Sequence, residues 1–161
     1  YELPSLKCFP TLKEVKFVAS KNELKESYIS ESQLLKIFDE SLYKIVLRTL
    51  HELFEADKID GLSVISFNGY VHDINKATGK EEDNCIISIQ VSKHEFLDIN
   101  LSQVDPKTCF KNLKGVSSTK LSSITPIQPI LQMPKGDKRF VDSYDVADSL
   151  DTSTNLAAMN W

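Results

Sequence analysis

The sequence predicts an α+β fold: one long helix packed on a mainly antiparallel sheet with a β-hairpin, plus a short second helix. Three observations carry this. Apolar residues recur at three- and four-residue steps from Leu34 to Phe54, the pattern of an amphipathic helix. Two runs, 63–74 and 85–92, carry strand patterning on either side of turn residues. Asp105-Pro106 opens a short helical stretch and Gly115 closes it.

The elements follow in order. Residues 1–13 hold two prolines and read as an irregular lead. Residues 14–19 form a short strand with Val15 and Phe17 on one face, and the polar stretch after it returns as a partner. Ser30-Glu-Ser-Gln33 is a capping box, in which the serine hydroxyl accepts from the third backbone N–H and the glutamine reaches back. The helix that follows carries Leu34, Leu35, Phe38, Leu42, Ile45, Val46, Leu50, Leu53 and Phe54 on a stripe wide enough to bury against a sheet. Asp60-Gly61 stops it near Asp57, so it spans roughly 40 Å.

Ser63 to Ile74 is a strand with Ile65, Phe67 and Val71 on one side, and Gly69 marks a bulge or a close backbone approach. Asn75 to Gly79 is turn chemistry. Cys85, Ile87, Ile89 and Val91 then alternate with Ile86, Ser88, Gln90 and Ser92, which completes a hairpin with one buried face. The stretch 94–101 fits either a helical turn or another strand. The short helix from Pro106 buries Cys109, Phe110 and Leu113, and 117–123 is a loop rich in hydroxyls. Pro126 and Pro129 confine 124–133 to an edge strand or extended cover. The domain is 14–133, and 134–161 is an acidic linker.

With 161 residues and 18.2 kDa, the chain fits one domain that needs neither disulfides nor metal to fold. Cys8, Cys85 and Cys109 are odd in number and far apart, which excludes a disulfide framework and a zinc site and fits a reducing cytoplasm. No apolar run approaches the ~20 residues of a membrane helix, and the N-terminal stretch lacks a signal-peptide layout. The ending, Asn160-Trp161 after Leu156–Met159, reads as that of a segment cut from a longer polypeptide, with a terminal Trp folded back on its own domain as the plainer alternative.

Net charge is −4, unevenly spread. Residues 106–140 hold seven bases against Asp137 alone, +6, while 141–161 carry four aspartates and no base. Lys107, Lys111 and Lys114 recur at i, i+4 and i+7, one stripe opposite Cys109, Phe110 and Leu113. Lys120 adds a charge in the hydroxyl loop, and Lys135, Lys138 and Arg139 follow. Such residues suit gripping a nucleic-acid backbone, whereas Arg48 and Arg139 are too few for base readout. A solvated lysine face is the plainer reading. A second candidate surface is the sheet face around Asn68, Gly69 and Tyr70, as a contact for a protein partner.

Other motifs are incomplete. His51-Glu52-Leu-Phe-Glu55 lacks the second histidine of a zinc protease helix. Ala77-Thr-Gly-Lys80 faintly suggests a phosphate loop, but Glu81-Glu82-Asp83 would repel a phosphate. The order long helix, strand, strand, short helix, strand is compatible with a degenerate restriction-nuclease-like core, in which Asp73, Gln90 and Lys93 echo the metal site, yet Gln90 and Lys93 are three residues apart and so fall on opposite faces of a strand. No residue here is assigned as catalytic or as a metal ligand.

Three blocks carry a resemblance: LRTLHELFEAD (47–57) running into ISFNGYVHDINKATGKE (65–81), then ISIQVSKHEFLDINLSQVDPKTCFKNLKG (87–115), and finally TPIQPILQM with STNLAAMNW (153–161). Together they resemble the segment immediately N-terminal to the catalytic domain in bacterial Mrr-like restriction endonucleases. The resemblance implies a parent that cleaves foreign DNA with a divalent metal, Mg, on residues beyond Trp161. It implies that this piece is non-catalytic, holds no cofactor, and positions or regulates its own C-terminal nuclease domain, with double-stranded DNA as a further partner. Oligomeric state stays open.

Overall fold

The computed structural model describes residues 1–75 and 78–132. Its elements in chain order are β1 (Leu12–Val18), β2 (Glu23–Tyr28), α1 (Glu31–Ala56), β3 (Val64–Ile74), β4 (Glu81–Ser92), α2 (Lys93–Leu97), α3 (Pro106–Asn112) and β5 (Val116–Ser117). Single 3₁₀ turns lie at Leu6–Cys8, Leu101–Gln103 and Leu121–Ser123. This is the expected α+β class: a long helix, antiparallel sheets and short helices.

The helix α1 starts where the capping pattern places it. Ser30 Oγ accepts from the Gln33 N–H at 3.4 Å, while the Gln33 side chain meets the serine hydroxyl at 3.2 Å instead of the Ser30 backbone. Its stripe buries Phe38, Leu42, Tyr43, Val46, Leu47, Leu50 and Phe54. Burying such a side chain stabilises by about 1.5–3 kcal/mol. Leu53 stays largely exposed, and Tyr43 and Leu47 take inner positions instead. Asp57 caps the C-terminal end, its carboxylate accepting from the N–H groups of Gly61 and Leu62, both at 2.9 Å.

The stripe faces a three-stranded antiparallel sheet of order β3-β4-β5. Phe67, Val71, Ile87, Ile89 and Val91 join the helix in one core with Phe96, Cys109, Phe110 and Leu121. The register runs from Val64 opposite Ser92 to Ile74 opposite Glu81, with a shift between Gly69 and Tyr70. Both expectations for Gly69 hold. The bulge lies opposite Gly69, where Ile86 of β4 is the extra residue, and a Cβ at Gly69 would sit 2.5 Å from both Ile87 Cγ2 and Leu3 Cδ1.

One segment departs from the sequence reading, and two others settle alternatives it left open. The lead is not wholly irregular, because Tyr1–Leu3 lies parallel to the free edge of β3: the Leu3 N–H donates to Tyr70 O at 2.7 Å and the Tyr70 N–H to Tyr1 O at 2.9 Å. Leu3 is thereby buried in the core. The stretch that fits either helix or strand opens with the helix α2, because Ser92 and Glu95 form a complete capping box. The segment 124–131 is extended cover and pairs as no strand; Ile127 N–H donates to Cys85 O at 2.8 Å. The unit thus runs Tyr1–Leu131, and a second, Gln132–Trp161, lies almost wholly outside the described residues, as does the acidic linker. Among the described residues no helix is long and apolar enough to cross a membrane.

Candidate nucleic-acid interface

The helix α3 is set by its first two residues. Asp105 Oδ1 accepts from the Thr108 N–H at 2.8 Å, and Pro106 fills the first helical position, where no N–H is needed. The bonds from Thr108, aided by the nearby Lys107 charge, hold the Asp105 carboxyl below its ordinary range. Cys109 and Phe110 face inward, and the Phe110 ring lies 5.2 Å from that of Tyr43.

Lys107 and Lys111 stand one turn apart on the outer face, both exposed. The Lys107 ammonium sits 5.9 Å above the Tyr43 ring, close enough for a cation–π attraction. Tyr43 itself is held by a 3.0 Å hydroxyl bond with Ser117.

Lys114 is not the third member of a helical stripe. The helix ends at Asn112, and Lys114 adopts the left-handed conformation with φ 60°. The Lys114 N–H donates to Lys111 O at 2.9 Å and the Gly115 N–H to Phe110 O at 3.0 Å. These two bonds make a Schellman ending in which lysine occupies the position that glycine usually fills. Gly115 terminates nothing by its own backbone freedom. It is there because a Cβ would collide with the Phe110 ring, 2.5 and 2.6 Å from Cε1 and Cε2.

Lys120 is exposed just before the last 3₁₀ turn. The hydroxyls around it do not point to a ligand. Ser118 and Ser123 donate to Lys120 O at 3.1 and 2.7 Å, and Ser117 pairs with Tyr43. The loop's serines hold the loop. Among the described residues Lys107, Lys111, Lys114 and Lys120 take part in no ion pair. Lys135, Lys138 and Arg139 lie outside the described residues.

The surface around Asn68, Gly69 and Tyr70 is taken up by the chain itself. Asn68 Nδ2 donates to Leu131 O at 2.7 Å, and its Oδ1 accepts from Ser88 Oγ at 2.7 Å. Ser88 Oγ in turn accepts from the Ile130 N–H at 2.9 Å. Gly69 is buried under Leu3, and the Tyr70 backbone is bonded to the lead. Burial holds the Tyr70 phenol above its ordinary range.

The three nuclease-like residues are dispersed. Asp73 pairs with Glu82 near the hairpin turn, whereas Gln90 pairs with Ser66 at the other end. Seven strand positions separate them along β3, roughly 23 Å. Lys93 opens α2, where its ammonium bonds Asp57 at 2.8 Å and Asp60 at 2.6 Å. That pair of contacts, invisible in the sequence because the partners lie 36 and 33 positions apart, ties the end of α1 to the start of α2. The Asp57 side chain is only 4% exposed. The Lys93 ammonium, with the Leu62 and Gly61 N–H groups, holds its carboxyl down at about 2.

Each histidine has an acidic partner, though not the acid that follows it in sequence. His51 faces Glu55 at 3.6 Å, His94 faces Asp98 at 3.8 Å, and His72 meets Asp83 across the hairpin at 2.8 Å. Among the described residues no group of three His, Cys, Asp or Glu side chains is placed to hold a metal. An open groove of about 1030 Å³ lies between α1 and the 101–106 segment, and no pattern in the sequence points to it. Its cations are already paired, Lys44 with Glu40 and Arg48 with Glu52, both at 2.7 Å.

No family model matches the chain, and no curated protein or solved structure matches it either.

Proposed function

We propose that this chain is a non-catalytic module that grips a nucleic-acid backbone through Lys107, Lys111, Lys114 and Lys120. The observation that supports it most is the state of these four side chains: exposed, close in sequence, and in no ion pair among the described residues. Ammonium groups in that state release counterions when they meet phosphates, which is the main source of sequence-independent affinity. With only two arginines in the chain, base readout has little to draw on. On the resemblance to Mrr-like restriction endonucleases, such a module would lie beside a magnesium-dependent nuclease domain, which it would position or regulate on double-stranded DNA. A cytoplasmic site belongs to the same reading and agrees with three free thiols.

The test is binding of a fluorescent 20-base-pair duplex to the purified chain across a salt series. Four phosphate contacts give a slope of log K against log salt of about −3.6, a loss of roughly 100-fold between 50 and 200 mM. Lys107→Glu with Lys111→Glu should abolish most of the affinity. Unchanged affinity, or affinity indifferent to salt, refutes the reading.

A second reading, a protein-interaction module that recruits the nuclease, is favoured by a different surface from Asn68–Tyr70. The hairpin of β1 and β2 exposes a largely apolar face, with Glu26 at its middle.

A further inference from the structure

We infer that the apolar face of the β1–β2 hairpin is the interface of a homodimer. Pairing in the hairpin sets Leu12 opposite Tyr28, Val15 opposite Glu26 and Phe17 opposite Leu24. Partners directly opposite share a face. The register shift at Lys13, between Leu12 and Glu14, is what turns Leu12 onto the face of Val15 and Phe17. Five apolar side chains therefore line one side, exposed by 46% (Leu12, Val15), 61% (Phe17, Tyr28) and 70% (Leu24). The other side carries Lys16 opposite Lys25, with Glu14 and Glu23 nearby. The hairpin is amphipathic, and both of its sides, the apolar one included, are exposed.

Nothing else in the described chain covers it. None of its residues belongs to the hydrophobic core or to the apolar shell packed on the core. A two-stranded hairpin with an uncovered apolar face is at best marginally stable in water. The exposed surface of the five side chains is on the order of 500 Å², the upper range for a monomer. Two such faces together bury about 1,000 Å², the lower limit for a specific interface.

The register also makes the face self-complementary. At each end an aromatic and an aliphatic residue sit on opposite strands, Phe17 against Leu24 and Tyr28 against Leu12. A two-fold axis parallel to the strands lays β1 of one copy over β2 of the next. Each aromatic ring then meets an aliphatic side chain, the isologous arrangement that a closed dimer needs. In the middle row Glu26 meets Val15, the smallest of the five, and the Tyr28 hydroxyl donates to its carboxylate. A carboxylate at that place limits the affinity, because it loses water on association. The interface shares no residue with the lysines of α3, so the two ideas fail separately.

The experiment is sedimentation velocity of the full chain from 5 to 500 μM in reductant, which keeps exposed Cys8 from linking copies. The weight-average mass should climb from 18.2 kDa toward twice that, with a dissociation constant on the order of 10–100 μM. Leu24→Lys and Phe17→Lys should each weaken the dimer at least tenfold, with far-ultraviolet circular dichroism unchanged. Should either variant misfold, Tyr28→Lys reads the same face. Glu26→Gln should tighten the dimer several-fold. A mass fixed at 18.2 kDa at every concentration overturns the inference, as does a dimer indifferent to the lysine substitutions or weakened by Glu26→Gln.

Discussion

Adjacent substitutions at the end of α3 should move stability in opposite directions. Lys114 holds φ 60°, a conformation that costs an L-residue about 1 kcal/mol. Lys114→Gly removes that cost, but glycine gains freedom in the unfolded chain, worth about 0.5–1 kcal/mol. The net is a gain of up to about 0.5 kcal/mol, a rise of about 2 °C in Tm for a domain of this size. At Gly115 the backbone is not in the left-handed region, so alanine would normally be neutral or better. Here the new methyl meets the Phe110 ring, which is fully buried and backed by Tyr43. The ring has nowhere to swing, and overpacking of this kind costs about 1–3 kcal/mol. Thermal and urea melts followed by circular dichroism separate the two. If Lys114→Gly destabilises, the Schellman assignment is wrong; if Gly115→Ala is neutral, the clash with Phe110 is. The first variant also serves the functional question: it deletes one phosphate contact, which should reduce the salt slope by about 0.9 without loss of fold.

Other outcomes follow from the same geometry. Ser88→Ala leaves the Ile130 N–H and Asn68 Oδ1 without their Ser88 partner, which should cost about 1–3 kcal/mol and speed amide exchange at Ile130; unchanged exchange would refute the clasp. The Asp83 bond raises the His72 pKa, so its stabilising contribution is complete below the ordinary 6.5 and disappears as pH rises through the higher folded value. Asp83→Asn should return the nuclear magnetic resonance titration of His72 toward 6.5, and an unmoved midpoint would sink the pairing. The Asp57 pKa is lowered from 3.8 to about 2, so its contribution is present above 3.8 and is lost as pH falls toward 2. The gap in urea midpoint between wild type and Asp57→Asn should therefore narrow over that window; a gap as wide at pH 2 as at pH 5 refutes the ion pair with Lys93.

Signals confined to a few neighbouring residues are legible in the sequence alone. Ser30 with Gln33, and Asp105 with Pro106, act on backbone groups within one turn, and both helices begin where those residues put them. The Ser92–Glu95 box is equally local, but it abuts the alternating run of β4, whose period of two obscures the start of α2. Lys114 reads as part of a helical stripe because Gly115 looks like the stop; the glycine instead makes room for Phe110. Contacts that join distant parts of the chain leave no such local mark. The Asp57–Lys93 pair, the Asn68–Ser88–Ile130 clasp and the docking of Leu3 against Gly69 depend on tertiary placement. Exposure of the first hairpin belongs with them, since alternation reveals which residues share a face and not whether anything covers it.

That distinction bears on where a partner can bind. A protein arriving at Asn68–Tyr70 must first displace the chain's own segments. Tyr1 N bonds to Asn68 O, the Tyr70 N–H to Tyr1 O, the Leu3 N–H to Tyr70 O and Asn68 Nδ2 to Leu131 O. At about 1 kcal/mol net for each, four bonds set a barrier of about 4 kcal/mol, nearly a thousandfold in affinity. Leu3 would add its own cost on leaving the core. The hairpin face and the α3 lysines ask for no such displacement, since their side chains already stand in water. Binding free energy is therefore easiest to gain at those two surfaces, and Asn68–Tyr70 serves as the junction that fastens both ends of the unit to its sheet.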